Sequence, residues 1–342
     1  MTAPGGTLAA GLIAAALAFA PAASAADPQT LRMASVTPEG SAWARELHAA
    51  GREIAASTRE QVLVKWYLSG IAGDELAMHD RVQRDQLDGI LSGGMLCQRL
   101  APSLRAAGTV ARFRDRGEAS YILQKLKPIV DAEFDKAGYV NVAEAGMGFS
   151  VIFSRTPVRT MADLKRLHPW MWGLDEVLKT QLFAMGLAPA PLPVEGSGRA
   201  YDEGKIDGFI SVPSAALAFQ WSAQTRYVTN LRVGYLAGCM LVSRRAWDTL
   251  GHDDQALITS AAAKLQVRVE ETARMSDEML LGGLFARQGL QAMPASPTLQ
   301  AEFNAAARDA LKSVEKLAPP GLLDKVSEWL AEYRNNHRAE KR

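Results

Sequence analysis

Two tryptophans separated by one residue, Trp170 and Trp172, form a side-chain pattern that could bind a ligand. They flank Met171 in the run PWMWG, which is predicted to be a strand. Side chains alternate along a strand with a period of two, so both indoles are predicted to lie on one face. That face is either buried core or the wall of a cleft. A cleft wall of flat apolar surface suits an aromatic, aliphatic or otherwise weakly charged ligand.

Residue types that usually carry catalysis form no catalytic pattern in this sequence. The segments EGSGR (195–199) and ILSGG (90–94) lack the G-x-S-x-G spacing of a nucleophile elbow. The five histidines show no H-x-x-x-H or H-E-x-x-H spacing for a metal. We therefore predict no catalytic residue, no metal site and no cofactor.

A repeated Asp-Gly segment indicates two similar lobes. RDQLDGILSG (84–93) and EGKIDGFISV (203–212) share an aliphatic residue, Asp-Gly, two apolar residues and a serine. Asp88 and Asp207 lie roughly 120 residues apart, which is the size of one small domain. The two carboxylates are predicted to stabilise the turn where a helix gives way to a strand.

The elements around each repeat follow one order. Strand LRMASV, helix SAWARELHAAGREIAAST, strand QVLVKWYLSG, a helix over 74–84 and strand LDGILSG make a β-α-β-α-β unit. Residues 160–212 repeat helices and strands in the same way. Two β-rich stretches, 139–158 and 232–246, are long enough to cross between the lobes as a hinge. We predict an α/β bilobal (Venus-flytrap) fold with hinge strands, followed by one long helix from His252 and two more helices over 297–335.

The predicted organisation of the chain has five parts. They are a signal peptide (1–25), a first lobe (26–148, with part of 236–290), a second lobe (149–235), C-terminal helices packed on the lobes (246–335) and a polar, solvated and disordered tail (336–342).

The N-terminal residues and the composition indicate an exported protein. An apolar run from Leu8 to Ala20 is followed by Ala23-Ser24-Ala25, a small-x-small cleavage pattern. The formal net charge of +1 excludes the basic footprint of a nucleic-acid-binding protein. The two cysteines, Cys97 and Cys239, lie among apolar residues and are either bridged or buried as free thiols.

Ligands of open α/β sheets bind outside the carboxyl ends of the strands. Ser92-Gly93-Gly94 and Ser211-Val212-Pro213 follow two predicted strands, so both segments are predicted to face one cleft between the lobes. The predicted ligand-binding residues are Trp43, Ser92, Met95, Phe149, Trp170, Trp172, Ser211 and Tyr235.

Four segments in order, RDQLDG, ADLKRL, FAMGLAPAPLPV and GKIDGFISVPSAA, resemble the periplasmic solute-binding proteins of TRAP transporters, the DctP-like family. The resemblance covers most of residues 30–340. It implies a periplasmic binder that closes on a small organic ligand and docks on membrane transporter subunits. In that family an arginine after the ADLKRL-type segment pairs with the ligand carboxylate. Here an ungapped alignment places Trp170 at that position, so the resemblance is to a divergent member of the family.

The absent arginine leaves the ligand open between a carboxylate and an apolar or aromatic molecule. Arg199 or Arg232 could replace the missing cation. One alternative function is a binding protein for another envelope transport system with a lipid-like ligand. Another is an exported two-lobed enzyme, for which Asp175 and Glu176 are the only acid pair near the indoles. The oligomeric state and the ligand's identity do not follow from the sequence.

Overall fold

The structure is a computed structural model that describes residues 1–2 and 27–339 of the chain. The predicted signal peptide lies outside the described residues from its third position onward. Among the described residues, no helix is both long and apolar enough to cross a membrane.

Within the described ranges, nine strands form one mixed sheet, in the order β2-β1-β3-β8-β4-β7-β5-β6, with β9 paired in parallel to β8. The strands are β1 (Gln29–Ala34), β2 (Val62–Tyr67), β3 (Gly89–Ser92), β4 (Tyr139–Ser154), β5 (Pro169–Trp172), β6 (Ala190–Leu192), β7 (Gly208–Ser211), β8 (Tyr227–Ser243) and β9 (Gln291–Pro294).

Helices cover the sheet. They are α1 (Ala42–Ser57), α2 (Glu75–Gln83), α3 (Met95–Leu100), α4 (Arg116–Lys136), α5 (Met161–Arg166), α6 (Glu176–Ala184), α7 (Val194–Asp202), α8 (Pro213–Ala218), α9 (Trp221–Gln224), α10 (Arg244–Trp247), α11 (His252–Met279), α12 (Phe285–Arg287), α13 (Pro297–Asp309) and α14 (Leu322–Ala339). Short 3₁₀ segments cover Pro102–Ala106 and Ala310–Leu317, and a π segment covers Leu280–Leu284.

The bilobal α/β fold predicted from the sequence is confirmed. Strands β1, β2 and β3 form the parallel part of the first lobe, and β5, β6 and β7 form that of the second. The long strands β4 and β8 pair antiparallel from Tyr139–Ser243 to Ser154–Tyr227. Strand β3 adds to β8 at one end of this ribbon, and β7 adds to β4 at the other. The ribbon therefore belongs to both lobes, as expected of hinge strands.

The Asp-Gly repeat ties neighbouring strands together in each lobe. Asp88 Oδ2 accepts a hydrogen bond from the backbone N–H of Arg32 at 2.9 Å, and Asp207 Oδ1 accepts one from the backbone N–H of His168 at 2.7 Å. A Cβ on the following glycine would lie well inside 3.0 Å of a carbonyl oxygen, that of Leu241 or of Phe153. The Asp-Gly pair therefore has the same structural role in both lobes: the carboxylate bonds a neighbouring strand, and the glycine allows close approach of a carbonyl.

The C-terminal region differs from the prediction at two points. The single long helix expected from His252 ends as α11 at Met279, and a π segment follows in which Gly283 has a φ of 144°. A positive φ of this kind favours glycine and interrupts a regular helix. The polar tail was expected to be disordered from residue 336, but α14 continues to Ala339, with Tyr333 stacked on His337 one turn later.

Candidate ligand-binding site

A cleft opens between the lobes where β3 and β7 end. Ser92 and Ser211 terminate those two strands, and both line a cavity of about 130 Å³. Six of the eight predicted ligand-binding residues line this cavity: Trp43, Ser92, Met95, Trp170, Trp172 and Ser211. The carboxyl ends of strands from both lobes therefore meet at one site.

The two indoles of β5 share a face of the strand, as the alternation predicts. Met171 lies between them and packs into the opposite core. Trp170 is 3% exposed, its Nε1 donates to the carbonyl of Leu192 at 3.0 Å, and its ring lies 4.5 Å from that of Trp221. Trp172 is only partly buried. Trp170 therefore serves largely as packing beneath the cavity, and Trp172 presents the more accessible surface.

Trp172 also brings the two lobes close together. A Cβ added to Gly93, which follows β3 in the first lobe, would lie 3.4 Å from the Trp172 ring in the second lobe. Glycine at this position leaves the indole room to approach the opposite backbone. The indole thus reaches across the cleft to the first lobe.

Phe149 and Tyr235 do not line the cavity. They pair directly across the β4–β8 ladder, and their ring centroids lie 5.0 Å apart. Their chain neighbours Ser150 and Leu236 line the cavity. Since adjacent side chains of a strand point to opposite faces, Phe149 and Tyr235 face away from the cleft.

Neither arginine considered as a replacement cation reaches the cleft. The side chain of Arg199 is 82% exposed and pairs with Glu203 at 2.6 Å. Arg232 donates to the carbonyl of Arg114, and its guanidinium carbon lies 4.9 Å from the centroid of the Phe149 ring. Among the described residues, no lysine, arginine or histidine lines this cavity.

One acidic residue lines the cavity, and a second lies behind its wall. Asp175 lies in the lining. Its carboxylate accepts a hydrogen bond from the Leu178 N–H at 2.9 Å and so caps α6. Burial raises the pKa of Asp175 to about 6. Glu75 is fully buried behind the wall, and burial raises its pKa as well. Its carboxylate accepts hydrogen bonds from Ser92 Oγ at 2.8 Å, from Gly93 N at 2.6 Å and from Leu96 N at 2.7 Å.

These three hydrogen bonds have a consequence for ligand binding. Free backbone N–H groups at the start of a helix attract anions. At the start of α3, Glu75 already satisfies the N–H groups of Gly93 and Leu96. A ligand carboxylate would therefore find these two N–H groups already satisfied by the protein.

One buried donor in the cavity wall lacks a partner. Trp43 is 7% exposed, and its Nε1 makes no hydrogen bond to any described residue. A buried N–H without an acceptor costs free energy of about 1–3 kcal/mol. A ligand with an acceptor near this indole would satisfy the group.

The acid pair of the enzyme alternative is not brought together. Asp175 lines the cavity, whereas the side chain of Glu176 is 53% exposed and pairs with Lys179 at 2.6 Å.

Several lining residues were not predicted from the sequence. Trp221 and Phe219 follow β7 closely in the chain, so aromatic residues after the end of a strand were an available signal. Leu265, Gln266 and Val269 come from the middle of α11. Their place in the cleft depends on how α11 packs across β4, which no local pattern shows.

Comparisons with known proteins agree with this architecture. The solute-binding protein of a TRAP transporter from Bordetella bronchispeptica, with ligand density interpreted as pantoate, superimposes with a TM-score of 0.80 at 19% identity, covering 87% of this chain and 98% of that chain. The extracytoplasmic solute receptor DctP7 of Bordetella pertussis, which binds pyroglutamic acid, gives 0.81 at 18% identity, covering 89% and 99%. A TRAP solute-binding protein from Desulfovibrio salexigens with bound orotic acid gives 0.81 at 18%, also covering 89% and 99%.

At these identities the superpositions show a shared fold. Membership follows from the sequence family model described as bacterial extracellular solute-binding protein, family 7, which matches residues 33–317. The chain therefore belongs to the DctP family of bacterial extracellular solute-binding proteins.

Proposed function

We propose that this protein captures a small, weakly charged organic ligand with a flat apolar surface and delivers it to the membrane subunits of a TRAP-type transporter. Residues 1–25 direct the chain across the inner membrane, and the mature protein works in the periplasm by binding without turnover. Membership of an extracellular solute-binding family supports the transport role.

The observation that carries the ligand class is the charge of the cleft. Its lining contains Trp43, Trp170, Trp172 and Trp221 and one carboxylate, Asp175, and no cation among the residues that the structure describes. Transferring an ionised carboxylate into such a site without a partner costs several kcal/mol. An uncharged ligand avoids this cost and gains from contact with the indoles.

The proposed ligand differs in charge from those of the related structures. Pantoate, pyroglutamic acid and orotic acid are carboxylic acids or their salts. Each can pair with a cationic side chain, and none of the described residues that line this cleft is cationic. We propose that Trp43, Ser92, Met95, Trp172 and Ser211 contact the ligand directly and that Trp170 supports it from below.

Ligand capture requires the lobes to move about β4 and β8. Hinge closure between two lobes is an established mode of ligand-dependent change in periplasmic binders. Contact between Trp172 and the Gly93 backbone would close the cleft over a bound molecule.

Pairs of ligands of similar size and shape that differ in charge test the proposal. Protein freed of bound ligand by reversible unfolding is titrated with benzamide and benzoate, and with succinamide and succinate, while its thermal unfolding is followed. We expect the neutral member of each pair to raise the melting temperature more, because binding to the folded state stabilises it. A larger rise with benzoate and succinate would contradict the proposed ligand class.

A tryptophan variant tests whether the ligand binds in the cleft. Trp172→Ala should weaken binding of the best neutral ligand by ~10-fold or more, since an aromatic contact is worth about 0.5–1.5 kcal/mol beyond its buried area. Trp329→Ala removes an indole of α14, which packs outside the cleft, and should leave the affinity unchanged. Equal effects of the two variants would argue against this site.

A further inference from the structure

A second cavity, of about 740 Å³, lies apart from the apolar cleft and has the opposite electrostatic character. Its lining includes five arginines, Arg112, Arg114, Arg232, Arg308 and Arg334, and no aspartate or glutamate among the described residues. The whole chain carries 38 basic and 37 acidic side chains, so this concentration of positive charge is local.

Four of these arginines have no carboxylate partner among the described residues. Arg112 Nη2 donates to the carbonyl of Leu323 at 2.7 Å and to Ser327 Oγ at 3.0 Å. Arg232 donates to a backbone carbonyl and lies over a phenyl ring. The side chains of Arg114 and Arg308 are exposed and make no hydrogen bond or ion pair with a described residue.

The fifth arginine is paired, and its partner lies outside the lining. Arg334 forms two hydrogen bonds to Glu118, at 2.6 and 2.7 Å. Asp115 also acts on Arg334, and Asp324 acts on Arg112, although neither forms an ion pair with it. These carboxylates lie outside the lining, and the five guanidinium groups outnumber them, so the cavity keeps an excess of positive charge.

Two buried polar atoms of the lining also lack partners. Thr109 is 1% exposed, and its Oγ1 makes no hydrogen bond with any described residue. Arg112 Nε is likewise buried and unpartnered. Buried donors are nearly always satisfied in folded proteins, so each unpartnered one calls for an explanation. A bound acceptor would provide it.

The cluster carries an electrostatic cost that an anion would remove. Burial and repulsion from Arg334 lower the pKa of Arg112 to about 10. The group stays protonated at neutral pH, so the repulsion persists in the folded protein. A bound anion would offset the repulsion and favour the charged form of Arg112.

The walls of the cavity come from both lobes. Leu330 of α14 and Phe113 pack in the core that contains α4, whereas Ala307 of α13 packs in the core that contains α6. Arg112 and Arg334 stand on the first wall, and Arg308 stands on the second. A ligand held by all three would span the two lobes.

We propose that this cavity is a second binding site, separate from the cleft, that takes an oxyanion of the phosphate class. Guanidinium groups match phosphate oxygens with paired N–H donors, and several arginines around one cavity favour an anion with more than one negative charge. The site does not depend on which ligand the apolar cleft binds.

Calorimetric titration of the mature protein tests the site. The probes are inorganic phosphate, pyrophosphate and glycerol 3-phosphate, in chloride buffer at constant ionic strength. We expect saturable binding with a stoichiometry of one. Similar affinities for phosphate and glycerol 3-phosphate would identify a site for the free anion, and tighter binding of glycerol 3-phosphate would identify one for a phosphate ester. The absence of saturable binding for all three probes would overturn the proposal.

Charge-neutralising variants test whether the anion binds in this cavity. Arg308→Gln and Arg114→Gln should each weaken binding by ~10-fold or more, as expected for loss of a charged hydrogen bond. Both side chains are exposed, so both variants should fold. Arg52→Gln, an exposed arginine on α1 outside the cavity, is the matched control and should bind as the wild type does. Binding that is equally strong in all three variants would overturn the proposal.

Discussion

The disulfide between Cys97 and Cys239 should supply a large part of the free energy of unfolding. The bond joins α3 to the hinge strand β8 across a sequence separation of 142 residues. Cys97 is completely buried and Cys239 nearly so. The structure thus decides between the bridged and the free thiols that the sequence left open, and a bridge fits an exported protein.

The loop length gives the expected magnitude. In the chain-entropy model, closing a loop of this size lowers the entropy of the unfolded chain by about 17 cal/mol/K, or about 5 kcal/mol at 25 °C. Measured effects are often smaller, so a loss of about 2–5 kcal/mol is expected. Folded domains have a total stability of only about 5–15 kcal/mol, which makes this loss easy to measure.

Urea unfolding of the oxidised protein, of the reduced protein and of a Cys97→Ala/Cys239→Ala double variant measures the effect. Reduction should require partial unfolding, because a reductant cannot reach the buried sulfur atoms. The reduced protein and the double variant should unfold at clearly lower urea concentrations than the oxidised protein. A difference below about 1 kcal/mol would refute the reasoning that the bridge constrains the unfolded chain.

Two further predictions concern the strand junctions and a buried carboxylate. Gly208→Ala should destabilise the protein by about 1–3 kcal/mol, because the added Cβ clashes with the Phe153 carbonyl. Gly196→Ala in α7 has open space around the new methyl group and should stabilise the protein by about 0.5–1 kcal/mol. Thermal unfolding of both variants measures the two effects. Burial raises the pKa of Glu144 to about 7, so the folded state holds a proton that the unfolded state releases, and stability falls as pH rises from about 4.5 to 7. Glu144→Gln should remove this pH dependence and raise the free energy of unfolding by up to about 3 kcal/mol at pH 8, measured by urea unfolding. An equal increase at pH 4 would contradict the raised pKa of Glu144.

The sequence predicted the architecture well because each element carries a local pattern. In α1, Trp43, Leu47, Ala50 and Ile54 recur at helical spacing, and all four are buried, together with Ala44. The Asp-Gly repeat marked the two lobes because the same close approach between strands occurs in each.

The site was only partly predictable from the sequence, for physical reasons. Serines at the ends of β3 and β7 were located by a rule about open sheets, and the alternation in β5 placed its indoles together. Phe149 and Tyr235 were expected in the cleft but lie outside its lining. Register shifts on both sides of this pair interrupt the alternation along β4 and β8, so the face that they occupy depends on the pairing of the two strands. Glu75 and the arginine cavity involve residues brought together from distant segments, which no local pattern reveals.

Identification of the ligand that copurifies with the protein tests the central claim most directly. Mature protein from the periplasm is examined by native mass spectrometry, and the molecule released on denaturation is then identified. This claim predicts an uncharged aromatic or aliphatic compound, bound one per chain and lost in Trp172→Ala, because indoles and no cationic side chain line the cleft among the described residues. A dicarboxylate or sugar acid bound at the same stoichiometry would contradict it.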